Sequence, residues 1–201
     1  MPYKPEHKAE TRTRIVRAAR RLFNRHGYAG VSIDGIMAEA GLTRGGFYAH
    51  FSSKDELYAE AITLILKEHP IENWEGVEFD PAGCDVARQI VNAYLSNQHF
   101  DDIDGSCPMV TQPTDVARGG EPVKDAFTKV FETLVNGLTN DMKGRVADHQ
   151  QRALAVATLC VGGMVIARAV DREDLSTRVR EAARLAALQA GGWDAGEISP
   201  R

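Results

Sequence analysis

Long apolar runs are missing from this chain. No stretch of eighteen consecutive apolar residues occurs, so no membrane span is expected. Cysteine is scarce: Cys84, Cys107 and Cys160 lie far apart and are odd in number. They form no CxxC pair and no Cys/His spacing suited to a metal, so neither a disulfide framework nor a zinc module is expected. A reducing cytoplasm is the simplest setting. The signatures GxGxxG, GxSxG, HExxH and the P-loop are all absent, and His69 and Glu72 are too isolated to suggest a metal site. The expectation is therefore a protein that is not an enzyme, with no cofactor and no metal. The N-terminus MPYKPEHKAETRTR is charged, lacks an apolar segment and does not read as a secretory signal. Period-two alternation persists nowhere, and neither an internal repeat nor a low-complexity tract is present, so the fold class is all-α.

What is present is segregated charge. The chain has 201 residues, enough for one or two domains with a sizeable core, and a net charge of −4. Residues 1–55 carry 10 Lys/Arg against 5 Asp/Glu, whereas residues 56–201 carry 14 against 23. A small basic head on an acidic body suits one polyanion-binding surface on a body that avoids nucleic acid. A solvated helix rich in arginine is the plainer reading of the same numbers.

The head has a legible helical plan. From Thr11 to His26, Ile15, Val16, Ala18, Ala19, Leu22 and Phe23 recur at helical spacing, with arginines over much of the remainder. Gly27 is placed to stop that helix, and Tyr28 and Val31 to close over a small core. Ser32 is a candidate N-cap for a helix over 33–40, with Ile36 and Met37 inward. Gly41 suits a turn needing positive φ. Thr43 is a candidate cap for a second helix over 44–51, in which Phe47 and Phe51 share the buried face. Ser53 and Glu56 have capping-box spacing at the start of a helix over 54–68.

This order of short helix, glycine turn and short helix is the outline of a helix-turn-helix, whose second helix enters the DNA major groove. Arg44, Gly45, Tyr48 and His50 are left facing outward, with Gly46 nearby. Two glycines weaken a helix by roughly 1 kcal/mol each relative to alanine. Close approach of the helix start to DNA would explain their presence. Thr43 and Arg44 sit where the helix terminus favours phosphate, and Arg44 has the fork to read a guanine edge. Tyr48, His50 and Lys54 can donate to backbone phosphates.

Residues 11–57 resemble the N-terminal domain of the tetracycline-repressor-like (TetR) family of bacterial transcription regulators. The resemblance rests on TR at 11–12, Ile15…Ala18-Ala19…Leu22-Phe23, Gly27-Tyr28, Val31-Ser32-Ile33, Ile36 and Ala40-Gly41-Leu42. It continues through Gly45-Gly46-Phe47-Tyr48…His50-Phe51…Lys54…Leu57. Gly46 departs from the pattern, since Thr or Ser is common there. The expected DNA contacts are thus Arg12, Ser32, Thr43, Arg44, Gly45, Gly46, Tyr48, His50 and Lys54. The resemblance implies a three-helix DNA-binding domain over 1–53 and a helical ligand-binding and dimerisation domain over 54–201, about nine helices in all. It also implies a homodimer, usually a repressor, that leaves double-stranded DNA at a palindromic operator when a small-molecule effector binds.

In the body, residues 70–81 read as a loop, followed by helices over about 82–100, 109–117, 121–143, 148–170 and 173–190. Pro113 should start, kink or split the second of these. The tail from Gly191 is expected to fray. Small residues at Ala157, Gly162, Gly163, Ala167, Ala183 and Ala187 allow close helix approach, and a four-helix dimer interface is expected there; an internal core pair is the simpler reading. For a small apolar or aromatic effector, Trp74, Tyr94, Phe100, Met109, Phe127, Phe131, Cys160 and Met164 are candidate pocket residues, with His99 as a polar group. Such residues at helical spacing are more often plain core. Cys107, between DGS and Pro108, is placed at a helix start, where a thiolate is favoured. It is a candidate ligand contact or redox sensor, or a small buried hydrophobe. Asp101, Asp102 and Asp104 oppose a reactive thiolate there.

Overall fold

The computed structural model describes residues 5–142 and 145–193. All regular structure among them is helical: ten α-helices and four short 3₁₀ segments. The chain divides into two compact units, Met1–Pro70 with Asp102–Val130, and Ile71–Asp101 with Phe131–Arg201.

The first unit is built on α1 (Pro5–His26), which starts earlier than the periodicity suggested. Its Ile15, Val16, Ala18, Ala19 and Phe23 are fully buried, because spacings of three and four place them on one face. Gly27 ends it with φ +68°, its N–H bonded to the Phe23 carbonyl. In α2 (Ile33–Glu39) the Ser32 hydroxyl accepts from the Gly35 N–H at 3.0 Å, which satisfies one free donor of the first turn. Gly41 (φ +65°) turns the chain. The next segment is a 3₁₀ helix, Arg44–Ala49, shorter and tighter than the α-helix expected over 44–51. Adjacent glycines give its backbone little helical preference, and Thr43 makes no capping bond to it. Phe47 and Phe51 nevertheless anchor it in the core, with ring centroids 5.7 Å apart.

The capping box at α3 (Lys54–Thr63) forms in modified shape. Ser53 Oγ accepts from the Glu56 N–H, but Glu56 reaches back to the Ser52 N–H and hydroxyl, each at 2.7 Å, not to Ser53. The Glu56 carboxyl is held below its ordinary range by those Ser52 bonds, with Arg12 adding to them. The helix expected over 54–68 closes earlier, through a 3₁₀ turn at Leu64–Leu66.

The rest of this unit is α6 (Pro108–Thr111), α7 (Pro113–Arg118) and the first part of α8 (Glu121–Thr139). Pro113 lacks an N–H and divides α6 from α7. The segment is joined to α1 by polar bonds. Asn24 donates to the carbonyls of Asp104 (2.9 Å) and Ser106 (3.1 Å) and accepts from Thr111 (2.9 Å) and Gln112 (2.7 Å). A buried primary amide is thereby fully satisfied. Arg20 donates to the Gly105 carbonyl at 2.7 Å, Arg25 pairs with Asp104, and the Tyr28 N–H meets Asp115 at 2.7 Å.

The second unit contains α4 (Val86–Tyr94), α5 (Asn97–Asp101), the remainder of α8, α9 (His149–Ala169) and α10 (Glu173–Gly191). The single helix expected over 82–100 is two helices. Ser96 separates them, donating to the Ala93 carbonyl and accepting from the His99 N–H. Helices α9 and α10 pack closely. A Cβ at Gly163 would collide with Ala183 and lie 3.2 Å from Leu95.

Residues 191–193 do not fray. Gly192 (φ +75°) caps α10, and Trp193 is buried with its indole N–H on the Asp141 carbonyl at 3.0 Å. The remainder of the tail lies outside the described residues. Residues 146–169 are long and apolar enough to cross a bilayer by length and composition alone. The same test is passed by core helices, and in α9 Val156, Cys160 and Met164 are buried in the fold.

Candidate nucleic-acid interface

The outward face of the first unit is assembled from two elements. The 3₁₀ segment presents Arg44, Gly45 and Tyr48 to solvent, Tyr48 being 65% exposed while its neighbour Phe47 is wholly buried. The Phe47 ring meets Tyr48 edge-on at 5.2 Å, which orients the phenol. Beside it lies a cleft of about 400 Å³ lined by Lys8, Thr11 and Arg14 from α1 and by Thr43, Gly46 and His50. Neither Lys8 nor Arg14 makes an ion pair with any described residue. Lys8 was missed because the helix was started at Thr11, and Arg14 because it was not told apart from the other arginines of that helix. The signal was present: His7, Thr11 and Arg14 follow helical spacing on the polar face of α1.

Most of the basic charge on α1 has internal partners. Arg17 pairs with Glu68 at 2.6 Å and Arg21 with Glu39 at 3.0 Å. Arg12 binds Glu60 (2.5 Å), Glu56 (3.1 Å) and the His50 carbonyl, and its guanidinium lies 4.0 Å over the Phe51 ring. Arg12 therefore clamps α1 to the end of the 44–49 segment and to α3. Burial lowers the Arg12 pKa, but the bonds to Glu60 and Glu56 outweigh it and the net shift is upward.

Lys54 is similarly engaged. Its ammonium donates to the Tyr28 carbonyl at 2.6 Å and lies 3.9 Å over the Tyr28 ring. Burial lowers its pKa, against the pull of Asp55 and Asp115. The Tyr28 hydroxyl bonds Asp55, and partial burial plus that bond push it up to about 12. Ser32 has its hydroxyl in the α2 cap. His50 is pushed down, first by burial and then by Lys8 and Arg12, which favours its neutral form. Arg44 is exposed and tethered to Asp34 at 2.9 Å, also on the surface. Such an exchangeable pair is easily replaced by a stronger anion.

Gly45 and Gly46 carry a specific message. A Cβ at Gly45 would meet nothing within 4 Å, and one at Gly46 would make only ordinary contact with Met37 at 3.6 Å. Neither has positive φ. Nothing within the folded head requires glycine at these two exposed or half-exposed positions.

The residues expected to line an effector pocket are distributed. Cys107, Met109 and Phe127 belong to the first unit; Trp74, Tyr94, His99, Phe100, Phe131, Cys160 and Met164 belong to the second. Three of them gather: Trp74 stacks on His99 at 4.9 Å, and Tyr94 meets His99 edge-on at 4.8 Å. The buried His99 bonds the Tyr94 carbonyl through Nδ1 at 2.7 Å. Cys160 is fully buried, which pushes its thiol up to about 12. Cys107 is buried at the start of α6, and Asp102 and Asp104 beside it are engaged with the Gly105 N–H and Arg25.

The second unit also has an open cavity of about 960 Å³, and none of the ten expected pocket residues lines it. Its walls come from the 76–80 loop, α4 with the turn after it, and the first half of α10, including Arg88, Asn92, Thr177, Arg180 and Arg184. Apolar spacing pointed away from this place, because most of the residues on its wall are polar or charged.

Of the expected interface residues, Ala157, Ala167 and Ala187 are fully buried within the single chain, and Gly163 packs on Ala183. Ala157, Ala167 and Ala187 have no free surface in the single chain, whereas Gly163 and Ala183 are half-buried and pack on each other. Gly162 is different: it faces open space on a stripe with Leu154, Thr158 and Ile166, Ile166 being 52% exposed.

The first unit thus has the helix-turn-helix order of elements with an outward-facing 44–49 segment, and the second unit is helical. Residues 15–61 match the family model described as bacterial regulatory proteins, tetR family. The transcriptional regulator TtgR of Pseudomonas putida is 35% identical over 82 residues, 39% of each chain. E. coli NemR in its reduced form superposes with TM-score 0.70 at 17% identity, covering 90% of this chain and 96% of that one. A TetR-family regulator from Cytophaga hutchinsonii also gives TM-score 0.70 at 17% identity, covering 94% and 98%. The match to the curated relatives spans about two fifths of their length. Residues 15–61 thus match the tetR family's DNA-binding module, and the chain shares the all-helical fold of solved TetR-family regulators.

Proposed function

We propose that this chain is a cytoplasmic, dimeric DNA-binding transcriptional regulator, a repressor that a small-molecule effector releases from a palindromic operator. The observation that carries the reading is the pair Gly45-Gly46. The two glycines weaken the segment and nothing in the folded head requires them, while Tyr48 and Arg44 stand outward beside them. Space kept open on the outside is what close approach to a DNA backbone needs. Thr43, Arg44 and Tyr48 form the leading edge, with Arg44 exchanging Asp34 for a guanine or phosphate. Lys8 and Arg14 supply flanking phosphate contacts, and Arg12, Ser32 and Lys54 hold the head in shape.

Dimerisation is assigned to the exposed face of α9 and α10, through Leu154, Thr158, Gly162, Ile166 and Leu185. Two-fold symmetry would present two heads to two half-sites. Effector action needs a ligand with different affinity for the DNA-competent and incompetent states. The bonds from Asn24, Arg20 and Arg25 to residues 104–112 are the contacts through which a shift of that segment would move α1.

The test is selection of bound duplexes from a random pool, then affinity measurement for Gly45→Leu. An enriched palindrome, lost in Gly45→Leu while the circular dichroism spectrum stays unchanged, is expected. Unchanged affinity in that variant would remove the placement of the reading edge.

A second reading makes the sensor covalent, through Cys107. It is favoured by one observation: Arg20 is buried, its Nε has no partner, and its charge is within electrostatic reach of Cys107. A Cys107→Ser protein that still releases DNA on treatment with oxidant would end it.

A further inference from the structure

The second unit buries two arginines one turn apart on α10, and they are treated differently. Arg184 is 7% exposed and its guanidinium is occupied: Glu181 accepts from it at 2.8 and 2.7 Å, and Asn92 Oδ1 at 3.2 Å. Arg180 is equally buried at 7% exposed, yet no carboxylate of the described residues lies within ion-pair distance. Its one hydrogen bond is a long one to the Leu95 carbonyl, 3.4 Å, and its Nε has no partner. The face of the guanidinium lies 4.5 Å over the Phe100 ring. Burial lowers its pKa, and Asp101 opposes that only through space. Arginine has five N–H donors in a rigid fork and remains charged, so a buried guanidinium with an empty edge favours an oxyanion.

Arg180 lines the cavity of about 960 Å³ described above. That volume is at the upper end of the range of about 300–1,000 Å³ typical of small-molecule sites. We propose that this cavity binds a small organic carboxylate, with the carboxylate on Arg180 and the body of the molecule between Asn92, Leu95 and Thr177. A planar, singly charged head is favoured for two reasons. The guanidinium fork matches a carboxylate bidentately. Glu78 and Asp80 on the cavity wall oppose a second negative charge, which disfavours a phosphate dianion. The proposal concerns ligand occupancy and goes beyond the DNA-binding reading; it is tested without DNA, so its failure leaves that reading untouched.

The experiment is isothermal titration calorimetry of the full chain with benzoate, phenylacetate and decanoate, and with benzamide and inorganic phosphate as comparators. At least one carboxylate should saturate a single site per protomer by about 10 mM, in the weak-affinity range of millimolar constants. Benzamide and phosphate should each bind at least tenfold more weakly. Arg180→Lys, which keeps the charge without the fork, should lose tenfold or more. Thr177→Trp, a change at an exposed position of the cavity wall, should block binding by bulk while the protein stays folded. Absence of saturation by any carboxylate overturns the proposal. So does benzamide or phosphate binding as tightly as the best carboxylate, or unaltered binding in Thr177→Trp.

Discussion

Adding a methyl group at Gly162 and at Gly163 should move stability in opposite directions, although the residues are adjacent in α9. Glycine to alanine in a helix interior gains about 1 kcal/mol of propensity at either position. At Gly162 the new Cβ meets nothing within 4 Å in its own protomer, and a single methyl on the free face leaves most of that gain in place. At Gly163 it would collide with Ala183 Cβ and lie 3.2 Å from Leu95 Cδ2. Ala183 Cβ has no rotamer to move, so the helices must separate, and overpacking of this kind costs about 1–3 kcal/mol. The gap between the two variants is therefore about 1–3 kcal/mol. With an m-value of about 1–3 kcal/mol/M in urea, their midpoints should differ by roughly 1 M. The assay is urea unfolding followed by far-UV circular dichroism, all proteins at one protomer concentration because association shifts the midpoint. Coincident midpoints, or Gly163→Ala as the more stable protein, would refute the inward orientation of Gly163 and with it the division of α9 into an internal and a free face.

Ile166→Glu on the free face should convert the dimer to monomer in analytical ultracentrifugation without lowering helicity; an intact dimer would move the interface elsewhere. Arg14→Ala should weaken binding to all duplexes alike and make the salt slope shallower by about 1, whereas Lys54→Ala should first lower the melting temperature of the head. An unfolding midpoint unaffected by Lys54→Ala would contradict its role in closing α3 onto Tyr28. The Glu56 carboxyl has a depressed folded pKa, so its contribution is fully present above the unfolded value of 4.5 and disappears as pH falls below that through the folded value. Glu56→Gln should thus narrow its stability difference from the parent on acidification below pH 4.5, and a constant difference down to pH 2 would show the Ser52 bonds to be immaterial.

Legibility in the sequence followed the type of signal. Ile15, Phe23, Ile36, Phe47 and Phe51 were readable because helical spacing of apolar residues determines a buried face. Gly27 and Gly41 were readable because positive φ selects glycine, and Ser32 because a short hydroxyl before a helix caps it. The division at Ser96 was not, since the apolar period runs through it and the break depends on one hydroxyl bonding in two directions. The roles of Arg12 and Lys54 were hidden for a related reason. Basic residues near a reading segment look alike in one dimension, and only carboxylates far along the chain distinguish a clamp from a free cation. The stripe of small residues in α9 gave correct close packing, but spacing alone could not say whether the neighbour is α10 or a second copy. The Arg180 cavity lay outside any apolar pattern.

The polar joint at Asn24 bears on how such proteins can be recombined. Asn24 has all four of its hydrogen-bonding capacities filled by residues 104–112, and Arg20, Arg25 and Tyr28 add further bonds to the same stretch through Asp115. A chimera cut after residue 53 would carry half of that joint to a host lacking the other half, leaving a buried amide and a buried guanidinium facing the wrong groups. The transferable module is discontinuous: a head graft should keep the geometry of its 44–49 segment only when residues 102–118 travel with it.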